Sequence, residues 1–170
     1  SQLGAWADKQ LLLDTKPVPV VGYTRSKRHS DFAGYASYGY CAARQLHYFG
    51  FKLVVLTTLD GLPLVYDLVP ANTDERVAAE CVLCRVRDCD IFADKGFIGD
   101  AWQLDVRGAW RNRMWTTKRA NQASQNAPAF DALLSRVRER IESTFHQLQN
   151  TGRHLERLLA KTVHGLRTRL

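Results

Sequence analysis

Leu11-Leu12-Leu13-Asp14-Thr15 sets a single carboxylate inside an otherwise apolar run. A half-exposed strand alternates apolar and polar residues. A run that is apolar in both phases is instead covered on both faces, as in the middle of an α/β sheet. Pro17 and Pro19 follow. Proline has no N–H to offer a ladder, so regular pairing is expected to fail soon after Asp14. Residues 22–50 carry Gly22, Gly34, Gly39 and Gly50 among tyrosines and basic residues, and read as a loop-rich excursion.

Beyond that stretch the pattern sharpens. Lys52 to Thr58 and Leu62 to Leu68 flank Asp60-Gly61, a turn signal for an antiparallel hairpin. Thr73 can cap a helix over residues 74–87, and a strand is expected from Asp90 to Asp94. A short helix from Gly99 to Val106 and a strand from Met114 to Lys118 come next. The clearest helix runs from Pro128 to Gln149, because Phe130, Leu134, Val137, Ile141, Phe145 and Leu148 keep a helical period. Gly152 is a suitable stop, and His154 to Leu170 reads as helical and basic. The order predicts an α/β fold, a mixed β-sheet flanked by helices, forming a single domain over residues 1–170.

Composition narrows the function classes. With 170 residues, 45% hydrophobic and 24% charged, the chain can bury a sizeable core and is not expected to be disordered. Runs such as Leu53-Val54-Val55-Leu56 are far too short to span a bilayer, and no basic-then-apolar signal segment opens the chain, so no membrane partner is expected. It begins at Ser1 and its single methionine is Met114, so it reads as a fragment or a processed chain. Cys41, Cys81, Cys84 and Cys89 are too few and too clustered for a secreted disulfide framework, which favours a reducing cytoplasm. A net charge of +7 and a pI near 9.5 favour a polyanionic partner.

Three acids occupy unusual places: Asp14 within an apolar strand, Asp94 at the end of Ile91-Phe92-Ala93, and Glu142 on the long helix. A carboxylate in or ending a buried strand costs several kcal/mol unless it is paired or holds a cation. Several such groups together suit a hard divalent ion. Glu142 lies about 60° from Phe145 around the helix, on the margin of the apolar stripe. Arg138, Glu142 and His146 form one row at four-residue spacing. Each acid also has a purely structural reading. Asp14 can accept from a turn at Thr15-Lys16, Asp94 can begin a turn at Lys95-Gly96, and Glu142 can be a solvated partner of Arg138. Position in the chain does not separate these readings.

The surrounding words do. Leu12-Leu13-Asp14-Thr15-Lys16-Pro17-Val18-Pro19-Val20 resembles the first-aspartate strand of bacterial insertion-sequence transposases of the DDE class. Ala33-Gly34-Tyr35-Ala36-Ser37 and Tyr48-Phe49-Gly50-Phe51-Lys52-Leu53 are similar to two further family stretches. Ala93-Asp94-Lys95-Gly96-Phe97 resembles the Asp-Lys-Gly-aromatic signature at the second aspartate. Arg138-Glu139-Arg140-Ile141-Glu142-Ser143-Thr144-Phe145 resembles the segment carrying the final glutamate. Between Asp94 and Glu142 lie 47 residues, a spacing like that of one insertion-sequence branch. A related branch has a Tyr and a Lys where this chain has Ser135 and Gln149, which places the chain outside that branch.

The resemblance implies a ribonuclease H-like fold in which Asp14, Asp94 and Glu142 are catalytic and bind two Mg2+ or Mn2+ ions. It implies a DNA transposase that cleaves phosphodiesters at transposon ends, transfers the strand to target DNA, and works as a homo-oligomer on DNA. The N-terminal DNA-binding region common in the family is expected to be absent from this chain. Arg25, Lys27, Arg28, Lys118, Arg119 and Arg138 are candidate DNA contacts, with Lys52 and Lys95 added because they sit in family-like words. Tyr23, Tyr35, Tyr38, Tyr40, Trp110 and Trp115 can stack on unpaired bases, or can be core aromatics. Cys81, Cys84 and Cys89 lack a fourth ligand for structural zinc. Two other functions fit the same acids: an inactive DNA-binding remnant, and a ribonuclease H-like nuclease that cleaves without joining.

Overall fold

A computed structural model describes residues 8–21, 31–42, 45–118, 125–148, 150, 162 and 164–166. Among the described residues there are six strands: β1 (Gln10–Val21), β2 (Ser37–Cys41), β3 (Leu46–Thr58), β4 (Pro63–Pro70), β5 (Asp90–Ala93) and β6 (Arg113–Thr116). They are accompanied by the α-helices α1 (Glu75–Leu83), α2 (Asp100–Trp110) and α3 (Pro128–Leu148), with a 3-10 turn at Lys95–Phe97. The sheet order is β2-β3-β1-β5-β6, with β4 also paired to β3. β2 pairs antiparallel with β3, whereas β1–β5 and β5–β6 are parallel. This mixed sheet with flanking helices is the ribonuclease H-like architecture expected from the sequence.

The apolar run does what its pattern requires. Leu11, Leu12 and Leu13 are each at most 2% exposed, so β1 is covered on both faces here. Burying each such side chain contributes about 1.5–3 kcal/mol. β1 does not stop after Asp14, however; it continues through both prolines to Val21. The alternation of the strand explains this. The Lys9 carbonyl accepts from Asp90 N at 2.7 Å, so the odd-numbered backbone groups point toward β5. Pro17 and Pro19 share that phase, and β5 ends at Ala93, the register partner of Leu13. Their missing N–H groups therefore forfeit no bond to β5.

The structure divides into two compact units. The first comprises Ser1–Asp14, Val54–Asp67 and Glu75–Thr144. Its helices occupy two layers that the registers identify. Leu12 pairs with Phe92 and Phe92 with Trp115, so these three side chains share one sheet face. The Trp115 ring packs edge-on against Phe130 of α3 at 5.5 Å, which puts α3 on that face. Thr116 belongs to the opposite phase and meets Gln103 of α2 at 3.4 Å, which puts α2 on the other face. The Trp102 indole N–H donates to Glu80 at 2.8 Å and fastens α2 to α1. α3 buries Leu134 and Ile141, the stripe its periodicity demanded. It is also tied to the β3–β4 turn: Thr144 Oγ1 donates to the Gly61 carbonyl at 3.0 Å, and Arg140 reaches Asp60 at 3.5 Å. Gly61, at φ +85°, supplies the left-handed residue of that turn.

A buried amide knots the first unit at the foot of β5. Asn112 is fully buried; its Oδ1 accepts from Cys89 N at 3.1 Å, while its Nδ2 donates to the carbonyls of Leu83 at 3.2 Å and Val86 at 3.0 Å. Arg111, in the left-handed conformation at φ 58°, ends α2 and turns the chain so that Asn112 can enter.

The second unit comprises Thr15–Leu53, Leu68–Asp74 and Phe145–Leu170. Here the sequence reading needs correction. Residues 37–41 and 46–50, read as part of a loop-rich excursion, form a hairpin with Ser37 opposite Gly50 and Cys41 opposite Leu46. A Cβ on Gly50 would overlap the Val18 carbonyl, so this glycine marks a close approach of two strands. Ser37 Oγ donates to Asn72 at 2.8 Å, and the Tyr38 and Phe49 rings meet at 5.1 Å across the hairpin. Other boundaries moved less. α1 is shorter than 74–87, ending at Leu83 before Asp88 takes a left-handed φ of 57°. α2 runs on to Trp110, four residues past its expected end at Val106.

Candidate active site

Asp14 and Asp94 are brought together by strand register. The last pair of the parallel β1–β5 ladder is Leu13 with Ala93, and each acid is the next residue along its chain segment. Neighbouring strands lie about 4.8 Å apart, so the two backbones stand side by side there. Asp94 keeps an extended backbone, at φ −74° and ψ 168°. Its side chain therefore continues the alternation of β5 and lies on the Phe92 face, as Asp14 lies on the Leu12 face. Both carboxylates thus face the α3 layer, and both are half-buried.

Asp94 also has the structural role its alternative reading offered. Its Oδ1 accepts from Lys95 N at 2.6 Å and caps the 3-10 turn Lys95–Phe97, and Phe97 N closes that turn on the Asp94 carbonyl at 3.0 Å. Phe97 is buried, which pins the turn, and Gln103 Nε2 donates to its carbonyl at 3.2 Å. Capping occupies one lone pair of one oxygen. A carboxylate is a hard donor of the kind magnesium or manganese prefers.

Glu142 is on α3, in the layer that the two aspartates face, but its side chain is exposed. Ile141 and Phe145 are buried beside it, so it occupies the margin of the stripe, as helical geometry requires. Glu139, one turn earlier, is exposed as well. Among the described residues, no group of three or more His, Cys, Asp or Glu is arranged to hold a metal ion. The donor chemistry fits a hard divalent ion, and two of the three carboxylates are adjacent; Glu142 is not gathered with them in this conformation.

The candidate DNA contacts are spread over the chain. Lys95 is exposed immediately after Asp94, and Lys118 is half-buried past the end of β6. Lys52 is half-buried and donates to the Thr73 carbonyl at 2.8 Å, a tie within the second unit. Arg25, Lys27, Arg28 and Arg119, like Tyr23, lie outside the described residues, as does the side chain of Arg138. Of the candidate stacking tyrosines, Tyr35 and Tyr40 are exposed, at 62% and 55%. Trp115 instead serves the core of the first unit, donating to Asp90 at 2.8 Å. His146 is within 3.0 Å of Asn150. The cysteines do not meet as a zinc group: each of Cys81, Cys84 and Cys89 directs its thiol at a nearby backbone carbonyl.

One neighbour of the site carried no sequence signal. Glu75, the first residue of α1, lays its carboxylate against Gly96 in the turn that Asp94 caps. Nothing in the local sequence pairs residues 21 positions apart on different elements. Only the glycine in Asp94-Lys95-Gly96 hinted at a crowded spot.

No helix among the described residues is long and apolar enough to cross a membrane. Comparison with curated proteins and with solved structures returned no match. A family model described as the transposase DDE domain matches residues 6–170. Nearly the whole sequence is covered; the chain belongs to the transposase DDE domain family, and its function is that of a transposase.

Proposed function

We propose that this chain is the catalytic core that cleaves DNA phosphodiesters at transposon ends and transfers the freed strand to target DNA, with Mg2+ or Mn2+ as cofactor. The observation that carries the reading is the placement of Asp14 and Asp94, one register step past Leu13 and Ala93, on the sheet face that α3 covers. Asp14, Asp94 and Glu142 are the carboxylates that would hold two ions, with Glu142 joining the aspartate pair when DNA is bound. Divalent ions held there supply charge stabilisation at the reacting phosphate and its departing oxygen.

The chain's own residues then have separable tasks. Asp14 and Asp94 fix the position of negative charge on rigid, parallel strands, so the scissile phosphate meets a preorganised site. Lys95, exposed immediately after Asp94, meets a phosphate oxygen of the bound strand in this reading. Arg25, Lys27, Arg28, Lys118, Arg119 and Arg138 contribute contacts along the DNA backbone, with Lys52 as a further contact. The active species is a homo-oligomer assembled on DNA.

The test uses DNA carrying the terminal sequences of the element that encodes this chain, in Mg2+, in Mn2+ and in chelator. Metal-dependent nicking at the ends, followed by joining of a precut end to a plasmid, is the expected result. Nicking without joining would identify a ribonuclease H-like nuclease. Binding without nicking in either metal would identify an inactive DNA-binding remnant.

A further inference from the structure

The β2–β3 hairpin of the second unit carries ring pairs along one face. Its register sets Tyr38 opposite Phe49 and Tyr40 opposite His47, and residues two apart on a strand share a face. The Tyr38 and Phe49 rings meet at 5.1 Å, and the Tyr40 and His47 rings at 4.7 Å. Phe51 continues that face on β3 and packs edge-on against Phe32 at 6.0 Å. The row runs from core to solvent. Phe32, Phe51 and Phe49 are buried and Tyr38 is half-buried, whereas His47 is exposed and Tyr40 is 55% exposed.

The other face of the hairpin is fastened. Ser37 Oγ donates to Asn72 at 2.8 Å and accepts from Asn72 N at 2.9 Å. Gly39 lies so close to Ala71 that an added Cβ would stand 2.8 Å from the Ala71 Cβ. The exposed ring pair is therefore carried on a framework anchored at its back. The chain on either side of it is nearly free of carboxylates. From Thr15 to Leu53 the sequence holds one acid, Asp31, against Lys16, Arg25, Lys27, Arg28, Arg44 and Lys52, and Arg44 falls in sequence between β2 and β3. Such a segment attracts a polyanion.

We propose that Tyr40 and His47 form a stacking platform for an unpaired base of bound DNA. The inference rests on the proposed action of this chain on transposon-end DNA. Bases of any sequence stack on aromatic rings. Inside a duplex both faces of a base are covered by its neighbours, so the occupant is a nucleotide that has left the stack. A second copy of the chain fits less well, because a symmetric contact would bring two basic segments together.

The experiment titrates the whole chain in chelator, where nothing is cut, and reads binding by fluorescence anisotropy. The probes are an oligothymidylate of about 12 nucleotides, an abasic oligonucleotide of the same length, and a blunt duplex of the terminal sequence. Tyr40→Ala should weaken the oligothymidylate about tenfold and His47→Ala about threefold, with the abasic strand and the duplex changed less than about twofold. Tyr40→Trp keeps a ring and should stay within about threefold of the parent. Tyr66→Ala is the control, since Tyr66 of β4 is 52% exposed but belongs to no part of this row. Parent-like binding of oligothymidylate by Tyr40→Ala would overturn the proposal. So would equal losses on the abasic strand, or the same loss in Tyr66→Ala. A parent that dimerises on size exclusion, with Tyr40→Ala monomeric and its base preference unchanged, would make the pair a contact between copies and overturn the platform. If Tyr40→Ala does not fold, Tyr40→Trp still decides: its added fluorescence should be quenched by oligothymidylate and not by the abasic strand, and equal quenching by both would overturn the proposal. Duplex binding and cleavage by a parent whose variants do not differ would remove the platform and leave the cleavage reading standing; a parent that binds none of the three DNAs would overturn both.

Discussion

Replacing Asn112 with Ala removes three hydrogen bonds from a fully buried position. The partners are not equally harmed. The Leu83 carbonyl keeps its bond from Val86 N at 3.2 Å, and a carbonyl has a second lone pair. Cys89 N–H has no such reserve, because a donor has one hydrogen and Asn112 Oδ1 holds it. An orphaned buried donor costs about 1–3 kcal/mol, and each lost net bond to the carbonyls about 0.5–1.5, giving roughly 3 kcal/mol for Asn112→Ala. That is a large share of the 5–15 kcal/mol typical of a domain. Asn112→Asp keeps the acceptor for Cys89 but loses both donors and sets a carboxylate against two carbonyls, so it should be no better tolerated. Urea unfolding followed by circular dichroism gives the difference directly. A loss below about 1 kcal/mol for Asn112→Ala would refute the claim that this amide knots α1, β5 and β6. Cys89 leads straight into β5, so a larger loss should also reduce order at Asp94.

Three further outcomes follow from charge and exposure. Neutralising Arg25, Lys27 and Arg28 together should flatten the slope of log affinity against log salt by about 2 to 3, measured by filter binding; an unchanged slope would remove this cluster from the DNA contacts. Burial pushes the Cys81 and Cys89 thiols up, and Cys84 is exposed, so brief alkylation followed by mass spectrometry should label Cys84 first; prior labelling of Cys89 would contradict the fold around it. The Arg111 guanidinium, bonded to Asp88 at 2.6 Å, holds that carboxyl below its usual range. A carboxyl whose folded pKa is depressed contributes stability above its unfolded pKa and loses it as pH falls through the folded one. The stability gap between parent and Asp88→Asn should therefore close in acid, and a gap that widens as pH falls would refute the pairing.

Much of the fold was legible where one residue's neighbours in sequence decide its environment. The three leucines before Asp14 required burial on two faces, Asp60-Gly61 required a turn, and the period of α3 named its buried residues. Legibility failed where a signal has two physical causes. Proline was read as the end of β1, yet Pro17 and Pro19 share the phase that faces β5 and lie past its end at Ala93, where no β5 partner stands. Gly50 was read as loop, yet it is a close approach to the Val18 carbonyl. For the candidate site, the words around Asp14 and Asp94 pointed to two residues that the register then set side by side. Glu75 and Asn112 carried no local signal, because their partners lie on other elements and only the assembled fold makes them neighbours.

The central claim is tested most directly by joining of a precut transposon end to a supercoiled plasmid in Mn2+, with DNA affinity measured on the same proteins. The parent should join. Asp14→Asn, Asp94→Asn and Glu142→Gln should each fall to the chelator background while binding DNA about as tightly as the parent, and Glu139→Gln should still join. Joining by Asp14→Asn or Asp94→Asn would contradict the assignment of the adjacent pair, and normal joining by Glu142→Gln with loss in Glu139→Gln would move the third carboxylate one turn back along α3.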